Sequence, residues 1–222
     1  MPIIESALVN VQPDSTAIRD SENKRRVSAP YSIVAIGGSA GGLESVGAVL
    51  RGLPADFAPP ILVVLHLHPK FVSHAAEILR RHSGLKVKDA EAEETIKGGI
   101  VYMAPPDRHL LIVSGSVKLS DTPAVNFTRP AIDTTFDSVV RAYGSKVIGI
   151  VLSGTGKDGS EGLRAIKQAG GFAIVEDPQT ARFSAMPANA MLASNADSVL
   201  PLAEIAPLLL RISGCVPGSP VK

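Results

Sequence analysis

The sequence predicts an α/β fold: a doubly wound, mostly parallel sheet with helices on both faces and an antiparallel hairpin insert. Three observations predict it. Short apolar runs rich in β-branched residues recur along the chain, as in strands buried on both faces. Helical stretches separate most of them, which is the pattern of strand–helix–strand units. One stretch, Gly99–Ser120, instead holds three strand-like runs with no helix between them.

Taken in order, Ser32–Ile36 (SIVAI) reads as the first strand and Leu43–Leu53 as the helix after it. Ile61–Leu65 (ILVVL) is the second buried strand, followed by a helix over Val72–His82. Gly99–Ser120 is broken by Pro-Pro-Asp and Ser-Gly-Ser, and reads as an antiparallel hairpin insert on the main sheet. A helix at Thr134–Tyr143 leads into Val147–Leu152 (VIGIVL). Glu161–Ala169, Phe172–Val175 and Ala188–Ala193 then repeat helix, strand and helix. One domain over residues 31–212 is the simplest account. Residues 1–30 mix Pro, Ser and Asn with balanced charges and lack apolar periodicity, so a disordered leader is expected there, with a docking arm or a linker left from a lost upstream domain as the rival reading. Residues 213–222, rich in Gly, Pro and Ser, are expected to form a flexible C-terminal tail.

Composition narrows the function. The 222 residues carry 22 Lys+Arg against 21 Asp+Glu, a net charge of +1, which argues against a nucleic-acid or anionic-membrane surface as the principal role. Aromatic residues make up 4% and there is no Trp, so base-stacking platforms are poorly supplied. The single Cys215 cannot form an internal disulfide, which suits a reducing cytosol. No apolar run approaches the roughly 18–20 residues of a membrane span, and the N-terminus lacks signal-peptide features. A cytoplasmic protein is expected.

Ligands of a doubly wound sheet bind beyond the carboxyl ends of its strands, so the loops there are the places to look. The first strand runs into Gly37-Gly38-Ser39-Ala40-Gly41, a G-x-S-x-G in strand–turn–helix context, where a serine hydroxyl is held exposed on a sharp turn. A phosphate or dinucleotide loop is an alternative, although Ser39 stands where that fingerprint needs glycine; a close-packed turn is another. The second strand is followed at once by His66-Leu67-His68. His66 is placed to act as a general base, or to be structural; His66 with His68 could also begin a metal site, with Asp107 and His109 as further candidates. No second closely spaced ligand pair supports the metal, and no cofactor is expected. The loop after Val147–Leu152, Ser153 to Gly159, resembles a phosphate loop only superficially, because Asp158 replaces the magnesium-binding Ser/Thr. Asp158 is either a turn residue or the carboxylate that orients a histidine. Ser39, His66 and Asp158 then fall on one edge of one sheet as nucleophile, base and orienting acid of an acyl-transfer site. Their chain order differs from the Ser, Asp/Glu, His order of α/β-hydrolases.

Six segments resemble the catalytic domain of the chemotaxis receptor methylesterase family, CheB. They are VAIGGSAGG (Val34–Gly42), VVLHLHP (Val63–Pro69), GIVYMAPPDRHL (Gly99–Leu110), NFTRPAIDTTF (Asn126–Phe136), VLSGTGKDGSEGL (Val151–Leu163) and MPANAM (Met186–Met191). They occur in the family's order over about residues 31–200. The resemblance implies a serine esterase that removes methyl groups from glutamate methyl esters on chemoreceptor helices, with glutamine deamidation as a second activity. It places Ser39, His66 and Asp158 on the family's catalytic positions, and the backbone N–H groups of Ala40 and Thr155 on its oxyanion-hole positions. Ala40 stands where many members have Thr, Thr155 where many have Met, and Leu65 where Gln is common. Thirty residues are too few for the family's receiver domain, so regulation is expected to come from elsewhere, with a separate regulatory protein as a candidate partner. The rival readings are a non-catalytic signalling or binding module of the same fold, an esterase acting on another protein and, third, a metal-dependent hydrolase.

Overall fold

A computed structural model describes residues 31–67 and 73–214. The expected N-terminal leader, His68, Val72 and most of the C-terminal tail lie outside the described residues, and the helix expected over Val72–His82 begins at Ala75, with Ser73 and His74 before it. Among the described residues nine strands form: β1 (Ile33–Gly38), β2 (Ile61–Leu65), β3 (Lys86–Asp89), β4 (Ile100–Met103), β5 (His109–Val113), β6 (Ser116–Ser120), β7 (Val147–Val151), β8 (Phe172–Glu176) and β9 (Ser198–Leu200). Seven of them make one sheet in the order β3-β4-β2-β1-β7-β8-β9, and every pairing within it is parallel. The central strands β1, β2 and β7 are buried along their whole length, as their unbroken apolar runs require.

Side chains alternate between two cores. Val34, Ile36, Ile61 and Val63 face one layer, built from α1 (Gly42–Arg51), α2 (Ala75–His82) and α6 (Leu202–Ile212). Ile33, Ala35, Leu62 and Val64 face the other, built from α3 (Ile132–Tyr143), α4 (Ser160–Gln168) and α5 (Ala185–Ser194). Helices therefore cover both faces, as expected.

The hairpin insert is present, but two details differ from the sequence reading. The first of the three runs, Ile100–Met103, enters the main sheet as a parallel strand beside β2. The other two, β5 and β6, pair antiparallel in a separate two-stranded sheet and do not extend the main one. Their burial explains the split: Leu110 and Ile112 are buried while Val113 is exposed, so the hairpin has one apolar face rather than two. That face packs on α3, where Thr135 Oγ1 donates to the Leu110 carbonyl (2.7 Å) and the Ile112 N–H donates to Ser138 Oγ (3.1 Å). The hairpin is thus tied to the start of α3, which the active site uses.

Close approach between β1 and α3 depends on a missing side chain. A Cβ at Gly37 would lie 2.4 Å from Ile132 Cγ2, and Ile132 is fully buried. Gly37→Ala is expected to lower stability by about 1–3 kcal/mol through overpacking, read as a lower urea midpoint at constant m-value. An unchanged midpoint would show that Ile132 can repack without cost.

Candidate active site

Register sets the three loops level. Gly38 at the end of β1 pairs with Leu65 at the end of β2, and Gly37 pairs with Val151 near the end of β7. Ser39, His66 and the Ser153–Gly159 loop therefore leave the same sheet edge side by side. The chain turns sharply at Ser39: its N–H donates to the Ser153 carbonyl (3.0 Å) and its own carbonyl accepts the Gly42 N–H (2.8 Å). Gly41 then takes φ 72°, a left-handed conformation that favours glycine, and caps α1. The neighbouring loop comes so close that a Cβ at Gly154 would lie 3.0 Å from Ser39 Cβ.

Asp158 is 2% exposed, and its carboxylate collects six donors. Oδ2 accepts the Ile132 N–H (2.7 Å), Thr128 Oγ1 (3.3 Å) and the His66 Nε2–H (2.8 Å). Oδ1 accepts Asn126 Nδ2 and the N–H groups of Asp133 and Gly159, each at 3.1 Å. Two of these donors are the first N–H groups of α3, so the positive end of the helix dipole also faces the carboxylate. Burial alone would push the Asp158 pKa up. The hydrogen bonds from His66, Ile132, Asp133 and Asn126 outweigh burial and hold it below the ordinary carboxylate value. An ionised Asp158 accepting from Nε2–H leaves Nδ1 of His66 bare as the ring's proton acceptor.

Ser39, His66 and Asp158 line one cavity of about 350 Å³, together with Asn126, Phe127, Thr128, Thr155, Gly156 and Lys157. The structure joins His66 to Asp158 directly. It brings Ser39 to the same cavity without a hydrogen bond to His66, a contact that in ligand-free hydrolase sites often closes only with substrate. Ala40 follows Ser39 in the chain and Thr155 lines the same cavity, and among the described residues neither amide is engaged in a hydrogen bond. Asn189 Nδ2 donates to the Gly156 carbonyl (2.7 Å) and pins the second loop.

Among the described residues the metal candidates do not assemble. Fully buried His109 accepts the Ala131 N–H at Nδ1 (3.2 Å) and donates from Nε2 to the Pro123 carbonyl (3.2 Å), a structural role. Asp107 pairs with Arg129 at 2.6 Å. Among the described residues no group of three His, Cys, Asp or Glu side chains could hold a metal ion.

Several working residues carry no sequence signal of their own. Asn126, Thr128 and the start of α3 hold Asp158 from 25 to 32 residues upstream. Glu176, buried at the end of β8, accepts the Ser153 N–H (2.7 Å), while Ser153 Oγ donates to the Ala40 carbonyl (2.9 Å). That chain of bonds links β8 to the turn carrying Ser39. Asp133 lies behind Asp158 and accepts the Gly162 N–H (2.7 Å) and Asn126 Nδ2 (2.8 Å). Burial, reinforced by the nearby Asp158 charge, raises its pKa from 3.8 to about 6 against those hydrogen bonds.

A family model described as CheB methylesterase matches residues 34–209. A protein of Leptospira interrogans called putative protein-glutamate methylesterase/protein-glutamine glutaminase is 41% identical over 183 residues, covering 82% of this chain and 95% of that protein. The protein-glutamate methylesterase/protein-glutamine glutaminase of Thermotoga maritima is 36% identical over 211 residues, and this chain spans 61% of its length. The crystal structure of the Thermotoga maritima CheB methylesterase catalytic domain matches with a TM-score of 0.78 at 39% identity, covering 82% of this chain and 98% of that one.

The raised Asp133 pKa makes a pH prediction. The folded chain keeps this proton between pH 3.8 and about 6, where the unfolded chain has released it. Ionising it therefore costs stability as pH rises through that window. From pH 4 to pH 7.5, Asp133→Asn should gain on the wild type by on the order of 2–3 kcal/mol in urea unfolding. Parallel pH profiles would contradict the assignment.

Proposed function

The chain belongs to the CheB methylesterase family, and we propose that it hydrolyses methyl esters of glutamate side chains on chemoreceptor helices, with Ser39, His66 and Asp158 as its catalytic triad. The observation that carries this reading is the 2.8 Å bond from His66 to a buried, ionised Asp158 in the cavity that also contains Ser39.

Ser39 Oγ attacks the ester carbonyl carbon as Nδ1 of His66 takes the hydroxyl proton. The imidazolium formed is stabilised by Asp158, which stays ionised. The tetrahedral oxyanion is held by the N–H groups of Ala40 and Thr155, donors preorganised at adjacent loops. Collapse breaks the C–O bond to the methoxy group, and the His66 proton leaves with it as methanol. Water, deprotonated by His66, then cleaves the glutamyl–Ser39 ester to release glutamate and free Ser39. A glutamine side chain passing through the same steps releases ammonia instead, the second activity in the names of the relatives. The substrate region is cytoplasmic, and a separate regulatory protein is the partner proposed beyond the substrate; no helix among the described residues is long and apolar enough to cross a membrane.

Loss of the nucleophile and loss of the orienting acid should differ in size. Ser39→Ala is expected to lower kcat for methanol release from methylated receptor membranes by on the order of 10⁶-fold, and Asp158→Asn by on the order of 10⁴-fold. Asp158→Asn also sets an amide donor against N–H donors, so it should lose about 1–3 kcal/mol of stability while remaining folded. Full activity of Ser39→Ala would refute the serine mechanism, and activity abolished by EDTA would favour a metal-dependent hydrolase.

A further inference from the structure

The segment that holds Asp158 also presents an aromatic ring to solvent. Val125 and Thr128 exchange backbone hydrogen bonds of 3.1 and 3.0 Å around a two-residue turn. Both central residues are left-handed, Asn126 at φ 52° and Phe127 at φ 64°. Such turns favour Asn followed by Gly, and a bulky side chain at the second position is strained. Phe127 is nevertheless 103% exposed, so neither backbone preference nor burial explains its ring. The surrounding bonds over-determine the conformation. Asn126 is tied to Asp133 and Asp158, and Arg129 donates to Asp107 and to the Asp121 carbonyl. Strain maintained in this way beside a reactive centre points to a role in function.

The position of the ring indicates that role. Phe127 lines the cavity containing Ser39 and His66, and also an adjacent cavity of about 290 Å³ that includes His66, Leu67, Ala124 and Pro130. It is the ridge between the two. A glutamyl ester reaching into the first cavity lays the rest of its helix across this ridge, and residues three or four positions away lie about 5–6 Å from the ester residue. The ring offers no hydrogen bond, and of the charges lining the two cavities Asp107 and Arg129 neutralise each other at 2.6 Å and Asp158 is paired with His66, which leaves Lys157 on the first cavity. We propose that Phe127 is a specificity-determining residue that packs against an apolar side chain one helical turn from the esterified glutamate. The inference rests on the methylesterase reading and deepens it, by naming what selects a glutamyl ester in a helix over a free ester.

The experiment compares Phe127→Ala, Phe127→Leu and Val113→Ala, an exposed apolar control on the hairpin, on two substrates: methylated receptor membranes and a small soluble acetate ester. Because the ring touches nothing in the core, unaltered thermal transitions are expected. Phe127→Ala should lower kcat/KM for receptor methanol release, mainly through KM, at least tenfold more than it lowers kcat/KM for the small ester. Phe127→Leu should recover most of the loss, and Val113→Ala should match the wild type. Equal losses on both substrates would overturn the proposal and make the residue a support of Asp158. No loss on receptors would also overturn it, and a gain would mean that another part of this chain, such as residues 1–30, covers the ring. If the wild type cleaves the small ester through Ser39 but releases no methanol from receptors, the substrate reading itself fails, and the proposal with it.

Discussion

The site is organised around one buried anion. A carboxylate removed from water is costly unless it is fully hydrogen-bonded, and Asp158 is held by six donors drawn from four separate segments of the chain. That requirement makes α3 begin at Ile132, makes the 125–128 turn fold back over the site, and fixes His66 through Nε2. Removing any one donor leaves a partly unsatisfied charge in the interior. The acid is therefore both the electrostatic partner of His66 and the junction that joins the hairpin–α3 layer to the sheet edge.

The sheet supplies what that junction cannot. β1 lies between β2 and β7, where the chain reverses its direction of travel across the sheet, and crevices at such points are where doubly wound folds bind ligands. Serine, histidine and aspartate each follow one of these three adjacent strands. Strand register, rather than loop length, brings them level. Glycines at Gly37 and Gly154 let α3 and the second loop approach closer than any side chain would permit. Glu176 and Ser153 extend this support from β8, through the loop after β7, to the carbonyl of Ala40, so the turn bearing the serine is braced from that side of the sheet.

The strands β1, β2, β7 and β8 could be read from the sequence because burial on both faces demands continuous apolar runs, and the triad positions because they lie in the loops that follow three of those strands. Elements that escape this logic were not visible. β3 reads Lys-Val-Lys-Asp and lies at the sheet edge with one buried residue, so it has no apolar run. β9 has three half-buried residues. α6 contains Pro207, which interrupts a helical pattern although the chain stays helical around it. The same limit hid Asn126, Thr128, Asp133 and Glu176. Their roles come from contacts across 23 to 32 residues of chain, which local pattern does not carry. The hairpin was visible as a hairpin, but its placement on α3 was not, because alternating burial becomes meaningful only once the covering helix is known.

The account stands or falls on the state of the His66–Asp158 pair. Nitrogen-15 NMR of the histidine-labelled protein, with His66 assigned by substitution, reads which ring nitrogen carries the proton. The account predicts that Nε2 carries the proton, strongly deshielded and shared toward Asp158, and that Nδ1 is bare for Ser39. A ring protonated at Nδ1, or an Nε2 signal unchanged by Asp158→Asn, would contradict it.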